Sequence, residues 1–274
     1  MSDWITLSPR APLVRSLWVH GVQPNRFAES SASQIAAMPV WSGREQGHLG
    51  DFFTIRGERS ARVRVEGSTT QIDGLGGGML DGELVVEGDA GTGVGAGMAG
   101  GTLHVRGSVG NDAGLRMSGG VLRVDRRAGD RLGAAIPGAA KGMTGGEIIV
   151  LGSVGAEAGA HARRGLIVVC GSVGRDAARA MIAGTLVVLG SCGDSPGRGS
   201  KRGSIVACGD VTVPGTYRYT CTFRPPHVRL MLTYLKRQYG LDIEDAVAGG
   251  LYRRYCGDAG DPGKGEILER VHGV

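Results

Sequence analysis

Gly95-Ala96-Gly97-Met98-Ala99-Gly100-Gly101-Thr102-Leu103-His104-Val105-Arg106-Gly107-Ser108-Val109-Gly110 is one copy of a pattern that recurs along the chain. Its centre reads Gly-x-Leu-x-Val-x-Gly. The same frame fits Ala61–Gly67, Gly82–Gly88, Gly101–Gly107, Gly120–Arg126, Gly146–Gly152, Gly165–Gly171, Gly184–Gly190 and Gly203–Gly209, with Ala61, Arg126 and Ala207 as departures. Successive copies end 21, 19, 19, 26, 19, 19 and 19 residues apart. An internal period of that length is the mark of a solenoid.

Two positions in each copy are aliphatic. One column runs Val63, Leu84, Leu103, Leu122, Ile148, Ile167, Leu186, Ile205; the other runs Val65, Val86, Val105, Val124, Val150, Val169, Val188, Ala207. They stand two residues apart, so both face one side of a strand. A strand this short is stable once it stacks on its own copies, about 4.8 Å per rung, and buries one continuous column. Methionine fills a third column at Met79, Met98, Met117, Met143 and Met181, with Ala162 and Ser200 in the same slot. That placement suits a flexible filler of a core corner better than a soft-metal ladder. Glycines flank each strand where the chain must turn sharply. Helices would lose about 1 kcal/mol per interior glycine, and 19 residues cannot hold a strand plus a crossover helix. The expected fold is all-β, a right-handed parallel β-helix of about eight rungs with an N-terminal cap and a C-terminal helix.

Composition agrees. The 274 residues include 51 glycines, 41% hydrophobic residues and 5% aromatics, so small branched side chains must fill the core. A net charge of +5 is too modest to argue for nucleic acid. Five cysteines show no C-x-x-C spacing, which argues against zinc or iron–sulfur ligation. No apolar run approaches the roughly 18 residues of a membrane span. With no signal peptide, a cytoplasmic chain with reduced thiols is expected.

Residues 1–60 carry Trp4, Trp18, Phe27, Trp41, Phe52 and Phe53. Strands are expected near Ile5–Leu7, Leu17–Val19 and Phe52–Ile55, with a short helix at Ala32–Met38, together capping the 61–215 solenoid. In 216–274, Pro225-Pro226 leads into Val228, Met231, Leu232 and Leu235 on one helical face, with Gly240 as the stop. The tail after Gly257 reads as loosely held. Seven extra residues between Gly129 and Met143 lengthen one rung, and such insertions are frequent contact sites.

No catalytic constellation and no metal set stands out. Gly91-Thr92-Gly93-Val94-Gly95-Ala96-Gly97 imitates a dinucleotide fingerprint but opens no helix to hold a pyrophosphate. Ser195 resembles a nucleophile elbow only loosely. Two surface features are candidates. Stacked repeat phases gather Lys141, Arg179 and Arg198, then Arg163 with Lys201, Arg164 with Arg202, and His161 with Arg116, predicting a basic ridge for an anionic tail or an acidic partner. Outward strand positions turn apolar in the later rungs, at Ile149, Leu151, Val168, Cys170, Val187 and Leu189. Such a face needs cover. A partner subunit or second copy is expected over whatever the C-terminal helix leaves open.

The repeat resembles the glycine-rich β-helix at the C-terminal end of the glutamate synthase large subunit. It resembles more closely the C subunit of formylmethanofuran dehydrogenase and its bacterial relative in the formyltransferase/hydrolase complex. Gly95–Gly110 and its copies carry the likeness, and Gly50-Asp51-Phe52-Phe53-Thr54-Ile55-Arg56-Gly57 looks like that family's lead into the first rung. The resemblance implies a non-catalytic subunit beside amidohydrolase-like and formyltransferase subunits. Such a complex converts formyl-tetrahydromethanopterin to formate through a methanofuran-type carrier with a glutamate tail. It implies no cofactor held by this chain alone. Two alternatives stay open: a stand-alone module for a polyanionic ligand, and the C subunit of a tungsten or molybdenum formylmethanofuran dehydrogenase.

Overall fold

The structure, a computed structural model, describes residues 4–10, 16–67, 69–260 and 264–273. Before the repeat come β1 (Ile5–Pro9), β2 (Leu17–Trp18), α1 (Pro24–Phe27), α2 (Ala32–Ala36), β3 (Pro39–Ser42), β4 (Glu45–His48), α3 (Leu49–Phe52) and β5 (Phe53–Arg56). The repeat supplies β6 (Arg62–Val65), β8 (Glu83–Val86), β9 (Thr102–Val105), β10 (Val121–Val124), β11 (Glu147–Val150), β12 (Leu166–Val169), β13 (Thr185–Val188) and β14 (Ser204–Ala207), with a two-residue β7 (Ile72–Asp73) after β6. The chain ends through β15 (Arg218–Phe223), α4 (Pro226–Tyr239), α5 (Asp245–Ala248), β16 (Tyr252–Gly257) and β17 (Gly265–Arg270).

The eight repeat strands pair in parallel, each column residue opposite its copy: Val63 faces Leu84, Leu84 faces Leu103, and so on to Leu186 and Ile205. No member of that column is more than 2% exposed. A second wall is a ladder of single bridges from Thr69 through Ala90, Val109, Ala128, Val154 and Val173 to Cys192. In the turns between walls, hydrogen bonds run to both neighbouring rungs. The Gly93 N–H donates forward to Asn111 O (2.9 Å) and the Gly95 N–H donates back to Leu75 O (2.8 Å). Stacking therefore satisfies even the turn backbone, which a buried loop could not otherwise do. The result is a parallel β-helix.

The methionine column fills one corner. Met79, Met98, Met117 and Met143 are fully buried. Met79 reaches under the next rung at Gly101, where a Cβ would stand 2.5 Å from its Cε. Ser200 occupies the same slot and satisfies its hydroxyl on Ala178 O at 2.9 Å.

Both ends extend the sheet before closing it. At the first, β1 adds a parallel strand (Ile5 opposite Val63), and β5 covers its edge in antiparallel fashion. At the far end β17 adds a ninth repeat-like strand, Ile267 opposite Ile205, followed by antiparallel β16 and β15. Within the tail after Gly257, which was expected to be loosely held, residues 265–270 are instead a core strand, with Ile267 and Leu268 fully buried. The charges of this strand, Glu266, Glu269 and Arg270, sit at positions that are only half-buried.

The apolar outer face also needs correction. Ile149, Val168 and Val187 are fully buried within the chain, packed with Val228, Leu232, Leu235, Tyr252 and Leu268. Helix α4 starts at Pro226, stops at left-handed Gly240 (φ 64°), and lays its face on this sheet. Three of the residues expected to centre an intersubunit interface are therefore core. Leu151, Cys170 and Leu189 sit half-buried at the margin of that second core.

A candidate anion-binding edge

Charge on the early rungs neutralises itself. Arg62 pairs with Glu83 (3.0 Å), Glu87 lies between Arg64 (3.3 Å) and Arg106 (2.9 Å), and Asp125 lies between His104 and Arg123 (both 2.8 Å). These are cross-rung or same-strand contacts between alternating signs, as parallel stacking requires of adjacent outward side chains. Burial pushes the Asp125 carboxyl upward, but Arg123 and His104 outweigh it and hold the group below its ordinary value.

The corner near the methionine column behaves differently. The structure sorts the nine residues expected on a basic ridge into three groups. Arg179 and Arg198 are neutralised, by Glu157 (3.3 Å) and Asp176 (2.9 Å) of the preceding rungs. His161 belongs with them: burial first, then Arg179, push its imidazole below the ordinary value, partly offset by Glu157. Lys141 stands in a separate cleft with Arg116.

Arg163, Arg164, Lys201 and Arg202 converge on one groove of about 550 Å³, floored by Ile182 and Ala183. None of the described lining residues is acidic, and none of these four side chains makes an ion pair with a described residue. Within each repeat phase the like charges are kept apart. Arg163 and Lys201 are two rungs apart with Ile182 between them, and Arg164 and Arg202 are separated by Ala183. The spacing is about 9.6 Å, twice the rung rise, which brings the repulsion down to the scale of solvent screening.

A fifth cation, Lys264, lines the same groove. It is in register with Arg202 because β17 continues the repeat, and its backbone N–H donates to Lys201 O. The sequence signal was Gly265-Glu266-Ile267, a ninth copy of Gly-x-Ile.

Among the described residues nothing resembles a catalytic centre. Burial raises the Cys192 thiol to about 12 and the Cys208 thiol to about 11, so both are protonated and inert near neutrality. Among the described residues no His/Cys/Asp/Glu group is placed to hold a metal, and no helix is long and apolar enough to cross a membrane.

No family model matches the chain. A crystal structure of the formyltransferase/hydrolase complex (FhcABCD) from Methylorubrum extorquens, in complex with methylofuran, contains a chain that superposes with a TM-score of 0.89. The two are 36% identical, over 97% of this chain and 100% of that one. Curated relatives are the C subunits of the molybdenum-containing formylmethanofuran dehydrogenase 1 from Methanosarcina barkeri, 32% identical over 92 residues, and from Methanothermobacter marburgensis, 30% identical over 87. This chain belongs to the family of formylmethanofuran dehydrogenase C subunits. The curated matches cover 32% and 31% of this chain, but 31% and 22% of those relatives. The likeness to the bacterial structure, in contrast, runs nearly end to end, through α4 and the closing strands as well as the rungs.

Proposed function

We propose that this chain is the β-helix subunit of a cytoplasmic formyltransferase/hydrolase complex, and that it supports the reaction without performing it. The complex would pass a formyl group from tetrahydromethanopterin to a methanofuran-type carrier and release formate, with amidohydrolase-like and formyltransferase subunits holding the reacting atoms. The single observation behind this reading is the end-to-end likeness to a chain of the bacterial complex. The curated dehydrogenase relatives match over less than a third of this chain, so the hydrolase complex is favoured over the molybdenum enzyme.

Within that reading the groove of Arg163, Arg164, Lys201, Arg202 and Lys264 holds the anionic tail of the carrier. Support comes from five cations, none ion-paired to a described residue, around a groove lined by no described acid. Guanidinium groups suit carboxylates because their planar fork matches both oxygens. Purification of the tagged chain from its native host tests the subunit role: formyltransferase and amidohydrolase-like chains should co-elute in fixed proportion. Recovery of the chain alone, at physiological salt, would contradict it.

A further inference from the structure

The seven-residue insertion of the long rung has a second cleft as its product. We infer that this cleft is a separate binding site for a compact organic anion, a phosphomonoester or carboxylate carried on a short apolar body. The cleft holds about 540 Å³. Four segments distant in sequence build it, with Ala96 and Gly97 of the rung before Arg116 as its bare backbone wall. Arg116 and Ser118 come from one rung, Lys141 and Thr144 from the end of the insertion, and His20 from the N-terminal segment.

Each wall has a stated chemistry. Arg116 and Lys141 supply two cations, neither paired with a described carboxylate, and none of the described lining residues is acidic. Thr144 adds a hydroxyl donor, while the Ser118 hydroxyl donates to Met98 O (3.5 Å) and keeps its lone pairs for the cleft. Leu115 and Ile136 line the apolar side, and Ile136 keeps 43% of its surface open to the cleft. The His20 ring lies over the glycine turn of the first rung, where a Cβ on Gly77 would stand 2.6 Å from Nδ1. An apolar wall with a few convergent polar groups is the ordinary make-up of a small-ligand site. The site shares no residue with the Arg163–Lys264 groove, so it stands or falls independently of the carrier-tail reading.

Calorimetric titration of the full chain with phenyl phosphate, phenylacetate and inorganic phosphate tests it. Phenyl phosphate, phenylacetate or both should bind, and more tightly than inorganic phosphate; the pair decides between phosphate and carboxylate. Arg116→Gly keeps the left-handed backbone (φ 55°) that glycine adopts at Gly97 one rung earlier, so it should fold. Arg116→Gly and Lys141→Met should each weaken binding about tenfold or more, the scale of a lost charge-assisted contact. Ile136→Ser should erase the preference for the aromatic anion and leave inorganic phosphate unchanged. Arg163→Gln with Arg202→Gln should change nothing. Absence of binding by the unaltered chain, equal binding by the Arg116 and Lys141 variants, or loss on altering Arg163 and Arg202 would each overturn the inference.

Discussion

Leu232→Ala is the sharpest probe of how the second core is held. Leu232 is fully buried between α4 and the outer face of the later rungs, with Val187 and Val206 in the same cluster. Truncating a buried leucine costs about 2–5 kcal/mol through lost transfer energy and the cavity left behind. If the α4 layer opens as its own unit, that loss raises its open fraction by about 30-fold at the low end and by over a thousandfold at the high end. Cys208 reports the opening. It is 3% exposed, its Sγ lies 3.7 Å from the Tyr252 hydroxyl beneath the layer, and burial lifts its thiol to about 11. Cys221 is exposed and serves as an internal control, while Cys192 belongs to the interior core of the rungs. Maleimide labelling followed by peptide mass spectrometry should show Cys208 reacting about 30-fold faster or more in Leu232→Ala, with Cys221 and Cys192 unchanged. An unchanged Cys208 rate would refute the reading that Leu232 holds α4 over the outer face. Equal acceleration at Cys192 would show that the solenoid and its cover open as one body.

Three further outcomes follow from the geometry. Asp258 is buried at the far end, where its carboxylate accepts from the Gly199 N–H (2.9 Å) and the Gly260 N–H (3.0 Å) in place of a further rung; burial pushes its pKa up, but these donors outweigh that and hold it below the ordinary value. Because the folded-state pKa is depressed, the stabilisation is fully present above the unfolded pKa and is lost as pH falls through the folded one. Asp258→Asn should therefore cost about 1–3 kcal/mol at pH 7 and progressively less below about pH 4, read from denaturation midpoints across pH. Gly119→Ala should lower the midpoint far more than Gly97→Ala: a Cβ at Gly119 would collide with Ala99 O, an immovable backbone atom, while Gly97 has open space and only its φ of 69° to protest. The expected costs are about 3 kcal/mol or more for the first and about 1–2 kcal/mol for the second. Replacing Arg163, Arg164 and Arg202 together by Glu should abolish carrier affinity at low salt and flatten its salt dependence; unchanged affinity in fluorescence titration would remove the groove from the account.

The rungs were legible because period and burial coincide. Every residue of the Val63-to-Ile205 column is core, and Met79 to Met181 fill the corner that their spacing indicated. The helix from Pro226 to Gly240 was readable from its proline start, glycine stop and apolar face. What lay beyond reading was tertiary. Ile149, Val168 and Val187 announce that a face is covered, but a sequence does not say whether α4, β16 and β17 suffice to cover it; Tyr252 and Leu268, far along the chain, complete the cover. The ninth strand was hidden by its setting: Gly265-Glu266-Ile267 fits the repeat but begins 62 residues after Gly203 rather than 19. Phase alone put Arg179 and Arg198 on the ridge with Arg163, whereas Glu157 and Asp176 one rung earlier remove them from it. Equivalence by phase fixes neighbours along the stack, and the charge of a site depends also on neighbours across it.

The proposed role is that of a supporting subunit beside the subunits that hold the reacting atoms. Formate release from the formyl carrier tests it directly, measured on the purified chain, on its co-purified partners without it, and on the reconstituted complex. The chain alone should release no formate, and the complex should release it at a rate that rises as the chain is added back to saturation. Formate released by the chain alone would contradict the account.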